Sequence, residues 1–421
     1  MTALRRALFG AFVVGLGLSI TLAQTTLLLL SLLWLWELRD PDRRRGASWP
    51  LAAPILAFSG VSVLSALLSG HALDSLLAAK HLLLVAALYV TANTLVDLEG
   101  AERFVWGLVL VAAVAAALGL IQVGLCPGPA VETAGWASRL IYHRCARARG
   151  PFSIYMTLGG VLLLVLLVSL PGLMPRAARP RWAPIPWLVM LGGLVATYTR
   201  GAWLGFAAGV LALVPMVRRG RLVLVIGLVV LALGVLLGPS GLRQRLLSMG
   251  DPEEGTIKER EYMWRSGLAM WRQHPWLGWG PGGVKREYEK FALPQSVKKR
   301  TGHVHNTPLQ ITAERGVLGL AAWLWIWVAF YRRAIRLFWK LPERRHRERA
   351  LVAGSLTAVT GCLVSGLSEY NFGDSEVLML AWAIAALPFV LERQHLLSVL
   401  GSSARRPEPL SPPGSGSGTS Q

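Results

Sequence analysis

Charged residues are scarce in this sequence: they make up 16% of its 421 residues, whereas 53% are hydrophobic. A soluble chain of this size needs a larger polar surface, so the composition excludes an ordinary soluble protein. Acidic residues are the scarcer charge, and the net charge is +20. The basic residues nevertheless fall in short clusters between apolar runs and form no continuous basic domain, which argues against a nucleic-acid partner. These features predict a membrane protein.

Cysteine is also rare, with three residues at positions 126, 145 and 362. Their spacing excludes a disulfide framework and a structural zinc site. Cys362 lies inside an apolar run. Cys126 and Cys145 fall in one loop, which we expect on the oxidising side of the membrane. A single disulfide between them therefore remains an open alternative to two free thiols.

Long apolar runs dominate the rest of the chain. Because a bilayer core takes about 20 helical residues, these runs predict an all-α, polytopic membrane protein of about twelve transmembrane helices. The first two runs are also compatible with one long tilted helix. The candidate spans are Leu8–Ile20, Leu22–Leu38, Trp49–Ser69, Leu76–Leu95, Phe104–Leu125, Phe152–Leu170, Ile185–Tyr198, Ala202–Val217, Leu222–Leu237, Val317–Trp339, Leu351–Leu367 and Val377–Leu391.

Lys and Arg in short loops predict the orientation, because such loops stay in the cytoplasm. With both termini in the cytoplasm, every strongly basic short loop lies there too, which favours an even number of spans. The predicted organisation comprises nine spans in residues 1–237 with an outer loop at 126–151, a large outer loop domain at 238–316, three spans in 317–392, and a disordered cytoplasmic tail at 393–421.

The predicted topology does not explain the arginines on the outer side of the membrane. Both long outer loops carry them, and Arg200 lies in a short outer turn. Positive charge at such positions commonly holds an anion, although ordinary solvated loop charges balanced by nearby glutamates are the simpler alternative. In the second loop, residues 257–274 predict an amphipathic helix at the bilayer surface, which carries Arg260 and Arg265.

A histidine pair precedes the first span after the large loop. In the sequence HVHNTP, Asn306 is a good N-cap and the next two residues are good helix-start residues, so His305 lies just before a helix N-terminus. The helix dipole there disfavours imidazolium and favours a neutral imidazole that can accept a proton. A merely solvated loop histidine is the alternative interpretation.

Two motifs carry a resemblance to a known family. His305 and Asn306 are followed by nine residues, Gly316, two residues and Gly319, and Arg200 is followed by Leu204 in an R-x3-L pattern. In these motifs, which lie within residues 196–320, and in its predicted topology the chain resembles bacterial O-antigen ligases. O-antigen polymerases and protein O-oligosaccharyltransferases share the superfamily architecture, so they remain alternatives.

The resemblance implies a type-C-like glycosyltransferase architecture in the bacterial inner membrane, with the active site on the periplasmic face. It implies metal-independent, inverting transfer of a glycan from undecaprenyl diphosphate to lipid A core oligosaccharide, without a cofactor. The outer loops contain no carboxylate pair or His/Asp cluster typical of a divalent-ion site, which is consistent with this. A lipid-linked oligosaccharide transporter is the alternative from another class, but neither internal repeats nor mid-span charges appear.

The resemblance also suggests roles for individual residues. His305 is expected to act as general base, and Arg200 and Arg265 as the catalytic clamp on the leaving diphosphate. Further candidates for binding the diphosphate or glycan are Arg147, Arg149, Arg260, His303, Asn306 and Lys80. For Lys80, a side chain that merely reaches the membrane interface is the simpler alternative.

Overall fold

The regular structure is helical throughout residues 3–126, 145–174, 180–217, 222 and 255–394, which are the residues described in the computed structural model. We number the longer helices α1 to α12 in chain order. They are α1 (Ala3–Leu18), α2 (Ile20–Glu37), α3 (Ala52–Leu67), α4 (Ala72–Thr94, with a 3-10 stretch at Ala79–Val85), α5 (Leu98–Gly124), α6 (Tyr155–Ser169), α7 (Pro184–Ala196), α8 (Arg200–Leu213), α9 (Gly255–Gln273), α10 (Thr307–Lys340), α11 (His346–Ser365) and α12 (Ser375–Gln394).

The first two apolar runs form two helices. Ser19 separates α1 from α2 and caps α2 by accepting a hydrogen bond from the backbone N of Leu22. An ion pair of 2.7 Å joins Arg5, near the start of α1, to Glu37, at the end of α2. The two helices therefore run antiparallel as a hairpin, and the alternative of one long tilted helix is wrong.

Six of the described helices are long and apolar enough to cross a membrane, namely α2, α4, α5, α6, α10 and α12. Three shorter apolar helices, Ala52–Leu67, Pro184–Ala196 and Arg200–Met216, coincide with other predicted spans. The predicted span Leu222–Leu237 lies, except for Leu222, outside the described residues. The described residues are thus helical, as predicted, and they support a multi-pass membrane protein, whereas the total of about twelve spans stays a prediction.

Residues 255–306 form a small apolar core together with the start of α10. Residues 263, 266, 267 and 270 are buried on one face of α9 at helical spacing. Met263 and Met270 pack with Val284 and Tyr288 from the chain beyond α9. The helix predicted at 257–274 is therefore present, and its apolar face packs on protein.

A sharp kink divides α10 at Gly316, which has φ 64° and ψ −170°. The broken helical bonding is replaced by the turn that follows α9: Val317 N donates to Pro275 O at 2.8 Å, and Trp279 N donates to Ala313 O at 3.0 Å. A Cβ at position 316 would collide with the backbone of Trp276. The first glycine of the histidine motif is thus explained by a backbone conformation and a close approach that favour glycine.

Cys126 and Cys145 form a disulfide, with their Cα atoms 5.4 Å apart. It closes a segment whose residues 127–144 lie outside the described part of the chain. Immediately after it, Ala148 N donates to Ala196 O at 2.9 Å, which attaches the segment to the end of α7. The alternative of two free thiols at these positions is wrong.

Candidate functional site

His305 lies at the start of α10 in a constrained backbone conformation. Its φ is +50°, in the left-handed region, and the residue is 9% exposed. Asn306 caps the helix, since its Oδ1 accepts a hydrogen bond from Leu309 N at 2.9 Å. The predicted N-cap and helix start are confirmed. The unusual φ, held between the cap and the preceding loop, fixes the direction of the imidazole.

The turn after α11 is bonded to this helix start through three hydrogen bonds. Thr307 N donates to Gly366 O at 2.7 Å, and Asn306 Nδ2 donates to Leu367 O at 2.8 Å. Thr307 Oγ1 donates to Glu369 O at 3.0 Å. Because these bonds involve the backbone of the turn, they fix the position of Glu369 next to His305.

The Glu369 carboxylate links the histidine to an arginine. Its Oε2 is 3.1 Å from His305 Nδ1, and its Oε1 is 2.5 Å from Arg260 Nη2. The Glu369 side chain is only 7% exposed. The site therefore contains a row of guanidinium, carboxylate and imidazole that joins α9, the turn after α11 and the start of α10.

His303 packs edge-on against this row, with its ring centroid 4.3 Å from that of His305. Burial, followed by the charge of His305, lowers the pKa of His303 to about 4. His303 is therefore neutral at neutral pH, and it adds no positive charge beside the catalytic candidate.

Arg200 reaches the same region from α8, of which it is the first residue. Its Nη1 donates to Thr256 Oγ1 at the start of α9 at 3.5 Å. A Cβ placed on the adjacent Gly201 would lie 2.5 Å from Ser368 Oγ and 3.2 Å from Glu369 Cγ. The start of α8 thus packs directly on the turn that holds Glu369.

The two arginines of α9 lie in different surroundings. Arg260 is three residues before buried Met263, so it lies on the packed face and reaches Glu369. The Arg265 side chain is 65% exposed and pairs with Glu261 at 2.5 Å. The structure therefore brings Arg260 into contact with the His305 row and leaves Arg265 at the exposed face of the helix.

The remaining predicted residues lie elsewhere, near the starts of α6 and α4. The Arg147 guanidinium stacks 4.5 Å above the Tyr155 ring, and Arg149 Nη1 donates to Ser153 O at 3.1 Å. These contacts hold both arginines at the start of α6. Lys80 is exposed in the 3-10 stretch of α4. The diphosphate-binding roles of these residues, and that of Arg265, stay predictions.

A cavity of about 210 Å³ adjoins the site, because Tyr370, the residue after Glu369, lines it. One part of its lining is apolar, from α3, α4, α10 and α12, and another part carries His81, Lys285, Glu314 and Arg315. Arg315 Nη1 donates to Glu314 Oε2 at 3.0 Å, and Gln310 Nε2 donates to Glu314 Oε1 at 2.9 Å. This network fixes the chain between His305 and the kink at Gly316.

Sequence reasoning missed Glu369 as a partner of His305. The segment SEYNFG reads as a polar connection between two spans, and 64 residues separate the carboxylate from the histidine. The available signal was an acidic residue at the outer end of a span, on the same side of the predicted membrane as His305.

The fold and the site indicate a multi-pass membrane protein that is helical in its described part. Its candidate site lies where the starts of α8 and α10, the helix α9 and the turn after α11 meet. A family model described as O-antigen ligase matches residues 185–324, which include Arg200, Arg265 and His305. An O-antigen ligase of Pseudomonas aeruginosa is 28% identical over 248 residues, which cover 56% of this chain and 54% of the relative. Both comparisons therefore relate this chain to the O-antigen ligase family. The match thus spans about half the length of this relative.

Proposed function

We propose that this protein is a glycosyltransferase that moves a glycan from undecaprenyl diphosphate to lipid A core oligosaccharide. The observation that carries the proposal is His305, a buried histidine fixed at the start of a candidate span within a segment that matches the O-antigen ligase model. The chemistry is placed on the periplasmic face of the inner membrane, with both termini in the cytoplasm. The disulfide between Cys126 and Cys145 supports this orientation, because disulfides persist in oxidising compartments.

In the proposed reaction, His305 takes the proton from the acceptor hydroxyl as its oxygen attacks the anomeric carbon of the donor glycan. The new glycosidic bond forms as the bond from that carbon to the diphosphate oxygen breaks, so the configuration inverts. The electron pair leaves with the lipid-linked diphosphate. Arg200 and Arg265 stabilise the charge that grows on this group, with Arg147, Arg149, Arg260 and Lys80 as further cations and His303 and Asn306 as polar contacts.

The proposal is tested by in vitro transfer with purified protein, a polyprenyl-diphosphate glycan donor and a chelator. Lipid A core and a second donor molecule are offered as acceptors in parallel reactions. We expect product on lipid A core, and a decrease of about 10²–10⁴-fold in its rate for His305→Ala. Elongated polyprenyl-linked chains would instead indicate an O-antigen polymerase, and absence of product with either acceptor would contradict a glycosyltransferase of this type.

A further inference from the structure

We propose that Glu369 is a positioning residue that sets the tautomer of His305, and that Arg260 in turn sets the orientation of Glu369. This inference rests on the proposed function, because it specifies which nitrogen of His305 acts as the base. It assigns Nδ1 as the nitrogen that carries the proton and Nε2 as the nitrogen that receives the proton of the acceptor hydroxyl.

The tautomer follows from the hydrogen-bonding capacity of the groups. An ionised carboxylate only accepts hydrogen bonds, so the contact of 3.1 Å between Glu369 Oε2 and His305 Nδ1 requires a proton on Nδ1. A neutral imidazole carries one proton, so Nε2 then keeps its lone pair. Among the described residues, no side chain or backbone group is hydrogen-bonded to Nε2, so this nitrogen is available to an acceptor.

Arg260 fixes which carboxylate oxygen faces the histidine. Its Nη2 donates to Oε1 at 2.5 Å, so Oε2 is the oxygen presented to His305. The backbone of residue 369 is held separately by the bond from Thr307 Oγ1. The carboxylate therefore has little freedom to turn away, and its orientation survives as long as Arg260 occupies Oε1.

The electrostatics of the row also suit proton transfer. When Nε2 takes the acceptor proton, His305 becomes an imidazolium, and the adjacent carboxylate stabilises the new charge without taking the proton itself. Among the described residues, the ionisable groups near the pair include Arg260 on α9, Lys298 and Tyr370 in the neighbouring loops, and His303, which is neutral at neutral pH. Glu369 is thus the negative group that faces His305.

Glu369→Gln gives the sharpest test, because Arg260 can only donate hydrogen bonds. The glutamine oxygen must turn to Arg260, and its NH2 group then faces His305 Nδ1. This moves the ring proton to Nε2 and blocks the base. We expect kcat to fall about 10²–10⁴-fold, the typical contribution of a general base, with KM little changed.

Arg260→Met combined with Glu369→Gln separates orientation from charge. Without the arginine the amide can turn its oxygen to Nδ1, so the original tautomer returns. We expect the double variant to transfer glycan faster than Glu369→Gln alone, although each single substitution lowers activity.

Two further variants complete the test. Glu369→Asp keeps the carboxylate and should retain more of kcat than Glu369→Gln. Glu289→Gln, at an exposed glutamate paired with Arg300 in the same outer segment, is the matched control and should leave transfer unchanged.

The tautomer itself is measured by 15N NMR of histidine-labelled protein in nanodiscs, with the His305 signal assigned by comparison with His305→Gln. We expect an Nδ1–H imidazole in the native protein and an Nε2–H imidazole in Glu369→Gln. An unchanged tautomer in Glu369→Gln, or a double variant no faster than the single one, would overturn the proposal. Because NMR needs no substrate, a native protein without transferase activity would contradict the proposed function and still decide the role of Glu369.

Discussion

At the scale of single residues, the two arginines of α9 differ in exposure and therefore in how much their ion pairs stabilise the fold. The Arg265–Glu261 pair is exposed and spaced i,i+4, so it stabilises the fold by only about 0.3–0.5 kcal/mol. Arg260 instead pairs with the buried carboxylate of Glu369, and removal of one partner of such a pair leaves the other uncompensated. A loss of activity on substitution of Arg265 is therefore not expected to come from a loss of stability, whereas substitution of Arg260 is expected to change both.

We expect Arg265→Ala to lower the transfer rate about 10²–10³-fold, the effect of losing one charge-stabilising group, while the thermal midpoint Tm in detergent stays within about 1 °C of the native value. Arg265→Lys should be intermediate if the guanidinium binds the diphosphate in a bidentate manner. Steady-state transfer and a thermal melt measure both quantities. Native activity in Arg265→Ala would remove this residue from the clamp.

His303 gives a prediction for acid stability. Its pKa is lowered from 6.5 to about 4 in the folded protein, so the unfolded chain binds more protons between these values. The contribution of this group to stability is full above pH 6.5 and is lost as pH falls towards 4. We expect the drop in Tm between pH 7 and pH 4.5 to be smaller for His303→Gln than for the native protein. An equal drop in both would show that His303 titrates normally.

At the scale of elements, the kink of α10 depends on Gly316. Any other residue would adopt φ 64° and ψ −170° at a cost of about 1–3 kcal/mol, and its Cβ would also collide with the Trp276 backbone. We expect Gly316→Ala to lower Tm by several degrees and to reduce transfer, because the turn at 275–279 would lose its backbone hydrogen bonds to α10. Gly10→Ala, at a helical glycine with open space around it, is the control and should change neither.

The helices themselves were largely predictable from the sequence, because apolar length determines a membrane-spanning helix directly. The ends of α5 and α7 lie within a few residues of the predicted spans, except that α5 begins six residues early, at Leu98. The cap at Asn306 was also predictable, since capping needs only local residues. The kink was not, because a glycine in an apolar run does not reveal which distant backbone will approach it.

The site was predictable only in part, for the same reason. Local motifs identified His305 and Arg200, whereas the contacts of Glu369 arise from packing between segments far apart in the chain. Arg260 ranked below Arg265 in the sequence interpretation because both lie on one amphipathic helix. Met263 and Met270 determine which face of that helix is packed. Their packing partners lie beyond the helix, so the helix sequence alone does not identify this face.

At the scale of the whole molecule, polar side chains gather at two opposite ends of the bundle. One end joins the start of α1 to the ends of α2 and α4, through bonds from Arg5 to Glu37 and to Asn93 O. A Cβ at Gly46 would lie 4.0 Å from Arg393 Nη2, so the end of α12 belongs to this end too. The other end holds His305, Glu369 and Arg260. The proposed topology therefore assigns one end to each side of the membrane.

This assignment is tested by labelling single cysteines introduced into a Cys362→Ala background, in which the remaining native cysteines are paired as a disulfide. Glu289→Cys lies between α9 and α10, and Arg43→Cys lies in the short basic helix Pro41–Arg45 at the opposite end of the bundle. Because loops rich in arginine stay in the cytoplasm, a membrane-impermeant maleimide applied to intact spheroplasts should label position 289 and not position 43. Position 43 should react only after permeabilisation. The reverse pattern would place His305 on the cytoplasmic face, where a periplasmic acceptor could not reach it, and would contradict the proposed reaction together with the orientation.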